Sequence, residues 1–343
     1  MQTNKVLLIY TGGTIGMGRN LKTGTLEPLD FNNLLKVLPE FKQIETVVDV
    51  YPFASPIDSS DVTPHHWAVM TRIIADNYVN YDGFVVLHGT DTMAYTASAL
   101  SFMLSNLTKP VILTGSQLPI GQLRTDGKEN LLTSIELAGL YSEEGHAMVP
   151  EVSIYFNGHL LRGNRSTKCS ADEFFAFESF NYPHLCDAGV EFDFHEHHIL
   201  TPDFSKSMIP HFAMDSHVVV FSLFPGISEA VVRHVLAIPG LRGIVMRTFG
   251  SGNAPQQPWL LRLLGEATSR GIVIVNVSQC ESGAVAMNRY DTGYFLQKAG
   301  VLSGYDITVE AATTKLMHLL AHYSDTNAVR TQIAKNIAGE MTV

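Results

Sequence analysis

The sequence is poor in charged residues and has no cluster of basic ones. Only 16% of its 343 residues are charged, and 23 basic against 33 acidic side chains give a net charge of -10. Because no run of lysine or arginine occurs, we expect no nucleic-acid partner and no anionic membrane surface as a partner. A small diffusing substrate fits this composition better. The low charged fraction also indicates that part of the surface is covered in an oligomer.

Cysteines and long apolar runs are scarce as well. Cys169, Cys186 and Cys280 are odd in number and far apart, without C-x-x-C spacing, which is typical of free thiols in a reducing compartment. The apolar run near the start is interrupted by Gly12 and Gly13, and it is too short for a secretion signal or a membrane span. We therefore expect a cytoplasmic protein.

Sequence signatures of nucleotide and metal binding are incomplete. The string from Gly16 to Leu21 begins like a dinucleotide fingerprint but lacks the third glycine, and no G-x-x-x-x-G-K-[ST] occurs. The run His195, Glu196, His197, His198 has no second ligand set at helical spacing, so solvated polar residues are expected there. The sequence thus predicts no cofactor and no metal.

A chain of this length with 45% hydrophobic residues is expected to form two domains. Apolar runs alternate with helical patterns in both halves, which predicts α/β folds with mostly parallel sheets. The predicted strands are Val6–Tyr10, Gly83–Leu87, Val111–Thr114, Val152–Phe156, Val218–Leu223, Gly243–Met246 and Ile272–Val277. The predicted helices follow Leu87, lie near Glu229–Ala237 and Trp259–Ser269, and close the chain with Val309, Ala312, Leu316 and Leu319 on one face.

Between about residues 191 and 213 this alternation stops, and the chain becomes polar, with Pro202 and Pro210. We therefore predict a larger N-terminal domain over residues 1–190, with a mostly parallel sheet and flanking helices. A linker would occupy residues 191–213. A smaller, doubly wound C-terminal domain of the flavodoxin or Rossmann type would follow over residues 214–343.

Two predicted strands end in glycine followed by threonine. The first runs into T-G-G-T-I-G at Thr11 to Gly16, and the second into H-G-T-D-T at His88 to Thr92. A strand that ends in glycine can present the next side chain in a crevice, so Thr14 and Thr90 are candidates for hydroxyl-based nucleophilic chemistry. On local grounds both strings are equally tight turns, and Thr90 to Thr92 would cap the following helix. The start of that helix also favours a carboxylate or a developing oxyanion.

The two motifs together resemble the bacterial-type, threonine-dependent asparaginase family, in its cytoplasmic type I branch. The resemblance continues through D-S-S-D at Asp58 to Asp61, T-G-S-Q at Thr114 to Gln117, R-G-N-R-S-T-K at Arg162 to Lys168, and G-N-A-P-Q at Gly252 to Gln256. These strings cover most of the chain in order.

The resemblance implies a set of catalytic and substrate-binding residues. Thr14, Thr90, Asp91 and Lys168 would be catalytic, with the lysine taking the place of histidine in a triad. The substrate residues would be Gly13, Asp58, Ser59, Ser60, Thr90, Asp91, Ser116 and Asp306. Hydroxyls would hold the carboxylate of the substrate and Asp91 its amino group, which requires a zwitterionic amino acid. On local grounds alone, the D-S-S-D string is explained equally well as a turn with a helix cap.

One position departs from the family pattern. Many relatives carry a tyrosine about ten residues after the first catalytic threonine, whereas the stretch from Asn20 to Leu26 has none and places Thr25 near that position. The resemblance to type I enzymes implies that Tyr290 of a partner subunit supplies the missing phenol.

The family likeness also implies a second, allosteric amino-acid site. Its residues would be Arg247, Asn253, Ser278, Cys280 and Thr167. Most of them follow apolar strands of the second domain, where open α/β sheets form ligand crevices, although ordinary strand-to-loop turns explain the same strings.

In sum, the resemblance implies an L-asparaginase that converts L-asparagine to L-aspartate and ammonia without a cofactor. Asparagine would be both substrate and effector, and the protein would be a homodimer or homotetramer. Attack by Thr14 and attack by water activated at Thr90 both remain open. The alternatives are an amidase of the same scaffold acting on glutamine or a glutamyl amide, and a non-catalytic amino-acid sensor.

Overall fold

The computed structural model describes residues 4–19, 26–28, 39–287 and 291–343. The chain divides into two compact units, Met1–Phe212 and Ala213–Val343. Of the helices that these residues form, none is both long enough and apolar enough to cross a membrane.

The first unit is built around a sheet of eight strands. The strands of the whole unit, including those outside this sheet, are β1 Lys5–Gly12, β2 Met17–Arg19, β3 Leu26–Pro28, β4 Val47–Ile57, β5 Gly83–Leu87, β6 Leu104–Ser105, β7 Val111–Thr114, β8 Val152–Phe156, β9 His159–Arg162, β10 Thr167–Lys168, β11 Phe177–Glu178, β12 Cys186–Ala188, β13 Phe192–Phe194 and β14 Ile209–Pro210. Its α-helices are α1 Pro64–Asn77, α2 Met93–Met103 and α3 Gly127–Gly139. The large sheet has the order β13-β12-β9-β8-β7-β5-β1-β4.

The central strands are parallel and buried on both faces. Strands β8, β7, β5, β1 and β4 run parallel, and β1 pairs Val6 with Gly83 and Tyr10 with Leu87 on β5. Alternate side chains pack against α1 and α2 on one face and against α3 on the other. Continuous apolar runs such as Gly83–Leu87 are what such two-sided burial requires. The predicted mostly parallel sheet is confirmed.

The edges of this sheet were not predicted. Strand β4 contains Pro52 and Pro56, which argue against a central strand, yet it lies at an edge, where a missing backbone N–H is tolerated. At the other edge β9, β12 and β13 are antiparallel.

The second unit is a four-stranded parallel sheet with helices on both faces. It consists of β15 Val218–Ser222, α4 Glu229–Leu236, β16 Gly243–Thr248, α5 Pro258–Ser269, β17 Val273–Ser278, α6 Asp291–Lys298, β18 Leu302–Ser303, α7 Val309–His322 and α8 Thr326–Ile333. The order is β15-β16-β17-β18, and all pairs are parallel. One face packs against α4 and α5, and the other against α7 and α8. The predicted doubly wound fold is confirmed.

The segment expected to be a linker, residues 191–213, lies almost entirely in the first unit, which ends at Phe212. Two short strands attach it there: β13 pairs with β12, and β14 pairs with β6. Between them the backbone N–H of Leu200 donates to Glu151, which also forms a buried ion pair with Arg162 at 2.6 Å. The polar composition of this segment reflects its position at a sheet edge.

Candidate active site

The ends of three strands of the first unit lie in close contact, and two glycines make this contact possible. Gly13 has φ 90°, and a Cβ built on it would lie 2.6 Å from the backbone nitrogen of Gly89. A Cβ built on Gly89 would in turn lie 2.6 Å from the Oγ of Ser59. Only glycine permits both approaches. The close contact therefore brings together the residues that follow β1, β4 and β5, including Thr14 and Thr90.

The D-S-S-D string forms a 3₁₀ turn at Ser59–Asp61 beside this contact. The Asp58 carboxylate accepts hydrogen bonds from the backbone N–H of Ser60 at 2.9 Å and from its hydroxyl at 2.8 Å. Both hydrogen bonds lower the pKa of Asp58 below its ordinary value, and the bond from the backbone N–H has the larger effect. The predicted turn with its cap is present, and Ser59 is buried against Gly89.

The Thr92 hydroxyl connects this turn to the second threonine motif. It donates to the carbonyl oxygen of Ser59 at 2.7 Å. Thr92 is the N-cap residue of α2, but its side chain makes no capping hydrogen bond. The prediction that its hydroxyl caps the helix is therefore wrong, because that hydroxyl already binds another loop.

Thr90, Asp91 and Lys168 form the candidate catalytic group. The Nζ of Lys168 lies 2.8 Å from the Oγ1 of Thr90 and 2.6 Å from an Oδ1 of Asp91. The lysine side chain is 17% exposed and that of Asp91 65%. A mostly covered amino group that contacts a hydroxyl and a carboxylate can hold that hydroxyl in one orientation and take part in proton transfer.

Lys168 reaches this position from the other end of the first unit's sequence. It lies on β10, which pairs Lys168 with the buried Phe177 on β11. The preceding turn begins at Gly163, where a Cβ would lie 3.0 Å from both the Ala97 side chain and the Val152 carbonyl oxygen. This close packing of the turn against α2 and β8 fixes the start of the segment that carries Lys168.

Gln117 also contacts the catalytic group, although the sequence analysis did not choose it. Its Oε1 lies 3.4 Å from the Oγ1 of Thr90, and its Nε2 donates to the Glu173 carbonyl oxygen at 3.0 Å. The carboxylate of Asp126 holds the loop by accepting from the backbone N–H of Gln117 at 2.9 Å. The predicted Ser116 is buried, and its hydroxyl donates to Leu118 in the same loop at 2.5 Å. Gln117 ends the T-G-S-Q string of the family resemblance, and that string could have made it a candidate.

A buried histidine supports the Thr90 loop from behind. The Nδ1 of His88 lies 2.7 Å from the carbonyl oxygen of Gly89, so this nitrogen is the donor. Its Nε2 accepts from the Thr96 hydroxyl at 3.0 Å, and Trp67 donates to the same hydroxyl at 3.0 Å. Burial lowers the pKa of His88 to about 4, so the ring is neutral at pH 7. The chain of bonds orients the peptide that precedes Thr90.

The residues assigned to the second site follow strands of the second unit. Arg247 is near the end of β16, Ser278 ends β17, and the Ser278 hydroxyl accepts from the backbone N–H of Cys280 at 2.9 Å. Asn253 forms a β-bridge with Phe249. The Nε of Arg247 is buried and has no hydrogen-bond partner among the described atoms. Such a group is a candidate for binding an anionic ligand.

The remaining predicted residues lie elsewhere. Thr167 is in the first unit, next to Lys168, and Asp306 is in the second, where it accepts from the backbone N–H of Thr342 at 2.7 Å. Tyr290 and Thr25 lie outside the described residues. The contacts above join Gly13, Ser59, Thr90, Asp91 and Lys168, and their roles stay predictions.

Known proteins resemble this chain over its whole length. A family model described as Asparaginase, N-terminal matches residues 5–200, and one described as Glutaminase/Asparaginase C-terminal domain matches residues 217–333. L-asparaginase 1 of Escherichia coli strain K12 is 44% identical over 346 residues, which cover 100% of this chain and 99% of that protein.

Solved structures agree with this result. The crystal structure of L-asparaginase I from Vibrio cholerae O1 biovar eltor str. N16961 has a TM-score of 0.90 and 41% identity, with 100% of both chains covered. The thermostable L-asparaginase from Thermococcus kodakarensis has a TM-score of 0.89 and 32% identity, with 99% of both chains covered. The chain therefore belongs to the asparaginase family, as its two threonine motifs predicted.

Proposed function

We propose that this protein is an L-asparaginase, which hydrolyses L-asparagine to L-aspartate and ammonia through a threonine nucleophile. The observation that carries the proposal is the position of the Lys168 Nζ, 2.8 Å from the Thr90 Oγ1 and 2.6 Å from the Asp91 carboxylate. The 44% identity to an L-asparaginase over the full chain supports the same substrate.

In the proposed reaction Thr14 attacks the side-chain amide carbon of asparagine. A bond forms between the Thr14 oxygen and this carbon, and the carbon–nitrogen bond breaks. The leaving nitrogen takes up the hydroxyl proton and departs as ammonia. A water molecule then attacks the ester carbon, and its proton passes through the Thr90 hydroxyl to Lys168 in its amine form. Lys168 returns a proton to the Thr14 oxygen as the ester carbon–oxygen bond breaks, and the new carboxyl group loses its own proton to solvent as aspartate leaves. Direct attack by a water activated at Thr90 reaches the same products.

Substrate recognition would divide the two charges of the amino acid. Hydroxyls of Ser59 and Ser60 and nearby backbone N–H groups suit the substrate's carboxylate, while Asp91, which is largely exposed, suits its ammonium group. The Ser60 hydroxyl donates its one proton to Asp58 at 2.8 Å, so it would have to rotate away from that carboxylate to bind the substrate's.

We expect purified protein to release ammonia from L-asparagine and to act on L-glutamine with a kcat/KM lower by about 10–200-fold. One additional methylene in the substrate is worth a discrimination of that size. Coupled measurement of ammonia with both substrates tests this, with Thr14→Ala prepared in the same host as a control for contaminating activity. Equal activity on both substrates would favour the broader amidase, and binding of asparagine without ammonia release would favour the sensor. Mass spectrometry of acid-quenched enzyme would show which threonine carries an ester.

We further propose that asparagine is an effector of the second unit, bound by Arg247, Asn253, Ser278 and Cys280. The partnerless buried Nε of Arg247 supports a ligand at this strand end. A homodimer or homotetramer in the cytoplasm completes the proposal. The reducing cytoplasm agrees with three cysteines that form no disulfide, of which Cys169 and Cys280 are exposed.

The effector hypothesis predicts a sigmoidal dependence of rate on asparagine concentration. In Arg247→Met the curve should become hyperbolic, because an effector shifts an equilibrium only through differential binding to two states. The control is Arg262→Met, which removes an exposed arginine on α5 paired with Glu229 at 2.9 Å. A hyperbolic curve for the unmodified protein, or a sigmoidal one that Arg247→Met leaves unaltered, would contradict the hypothesis.

A further inference from the structure

Histidine and aspartate side chains converge at the antiparallel edge of the large sheet. The strand register places Asp187 of β12 directly opposite His159 of β9. The Nδ1 of His159 lies 2.6 Å from the Oδ1 of Asp187, and the Nδ1 of His184 lies 2.8 Å from the same oxygen. One ligand atom from each of the three residues falls within 4.8 Å of the others.

His195 lies beside this group but is not one of the three residues whose ligand atoms all lie within 4.8 Å of one another. Its Nδ1 lies 2.9 Å from the carbonyl oxygen of His184, and because a carbonyl only accepts, this nitrogen carries the proton. In the neutral ring the Nε2 therefore bears a lone pair, yet it lies 3.5 Å from Asp187 Oδ2 and 3.9 Å from Asp193 Oδ2. A lone pair that faces carboxylate oxygens is favourable only if a positive charge lies between them.

The spacing of these atoms matches ligands that share one ion. Zinc bonds to nitrogen and oxygen are about 2.0–2.2 Å long, so two ligands of one tetrahedral ion lie about 3–4 Å apart. The contact between His195 and Asp187, at 3.5 Å, lies in this range. The two shorter contacts, at 2.6 and 2.8 Å, need to widen by less than about 1 Å.

We propose that His159, His184 and Asp187 bind one divalent transition-metal ion of the zinc class, beside the ring of His195. Two imidazoles and one carboxylate form a ligand set that zinc, nickel and copper prefer over magnesium or calcium. The four side chains are between 25% and 40% exposed, so an ion reaches them from solvent.

The surroundings support the proposed ligands. The carboxylate of Glu178 lies 3.6 Å from the Nε2 of His184, the kind of outer partner that orients a metal-binding imidazole. Glu178 also pairs with Thr167, the neighbour of Lys168, so the ion would join the sheet edge to the hairpin that carries the lysine.

The competing explanation is that protonated histidines alone balance the charge of Asp187. Zinc titration distinguishes the two, because a protonated imidazole cannot bind a metal. Untagged full-length protein, freed of metal with a chelator, is titrated calorimetrically with zinc chloride at neutral pH. We expect one zinc ion to bind per chain, and excess magnesium should not displace it. The unfolding temperature should be higher with zinc than without it.

Two variants and a matched control locate the ion. His184→Gln and Asp187→Asn keep side chains of similar size at half-exposed positions, and each should weaken zinc binding by about tenfold or more. His197→Gln removes an exposed histidine two residues from His195 and should leave the affinity unchanged. Absence of zinc binding at neutral pH would overturn the proposal. So would binding that persists in Asp187→Asn, which would place the ion elsewhere, for example at an exposed thiol such as that of Cys169 or that of Cys280.

Discussion

Replacing Lys168 by methionine should lower kcat for ammonia release by about 10²–10⁴-fold, the usual contribution of a positioned proton-transfer group. Methionine keeps the length and most of the packing of the side chain but removes the nitrogen that contacts Thr90 at 2.8 Å and Asp91 at 2.6 Å. The Thr90 hydroxyl then keeps its contact with the Gln117 amide oxygen at 3.4 Å, but an amide oxygen is not a base that takes up a proton. Steady-state kinetics with asparagine, with kcat and KM determined separately, measure the effect.

Two further variants separate proton transfer from simple charge pairing. Lys168→Arg retains a cation beside Asp91, but arginine does not lose its proton in proteins, so activity should stay low. Lys128→Met removes a half-exposed lysine on α3 that pairs with Glu40 at 3.6 Å, and its activity should equal that of the unmodified protein. An active Lys168→Arg enzyme would assign the lysine an electrostatic role only, and a Lys168→Met enzyme within tenfold of normal would remove it from the mechanism.

The second large effect concerns stability and lies in the C-terminal unit. Lys315 on α7 and Glu340 near the chain end form an ion pair at 2.6 Å, with exposed side-chain fractions of 1% and 0%. The lysine also donates to the carbonyl oxygens of Ile333 at 2.9 Å and Lys335 at 2.5 Å. Glu340 accepts from the backbone N–H groups of Ile337 and Ala338. The pair thus joins α7 to the turn after α8.

Lys315→Met should lower the free energy of unfolding by about 3–5 kcal/mol, because the variant leaves the buried Glu340 carboxylate without its cation. Urea denaturation followed by circular dichroism measures the change. The double variant Lys315→Met/Glu340→Gln removes both charges and should lose less stability than the two single variants added together.

An exposed pair provides the control for this prediction. Arg233 and Glu229 pair at 2.5 Å on α4 with side chains 52% and 37% exposed. Arg233→Met should therefore cost less than about 1 kcal/mol, since water screens such a pair. Equal losses for Arg233→Met and Lys315→Met would show that burial of the Lys315 pair carries no special weight.

Features that depend on near neighbours in the sequence were predicted correctly. The strands that run into Gly12–Gly13 and Gly89 are recognisable because apolar runs and glycines act through the local backbone. The helical spacing of Val309, Ala312, Leu316 and Leu319 likewise predicted α7. Together these local signals sufficed to predict the two α/β folds and the position of the two threonines just after strand ends.

Features that depend on pairing between distant segments were missed. Strand β4 was not among the predicted strands; its prolines are compatible with an edge strand, and only the fold makes β4 an edge. Gln117 was passed over although it ends the T-G-S-Q string, since nothing in that string shows that its side chain will lie 3.4 Å from the Thr90 hydroxyl. The polar stretch from residue 191 was read as a linker, because its pairing with β12 cannot be seen in composition.

The histidines show the same division most clearly. The sequence determined that His195 lies in a polar, histidine-rich run, and without a second ligand set this run predicted no metal site. The antiparallel register of β9 and β12 decided that His159 lies opposite Asp187, where His184 joins them. Local sequence determines which backbone elements form, because it acts through dihedral preference and apolar periodicity. Which side chains meet across them is decided only when the strands pair.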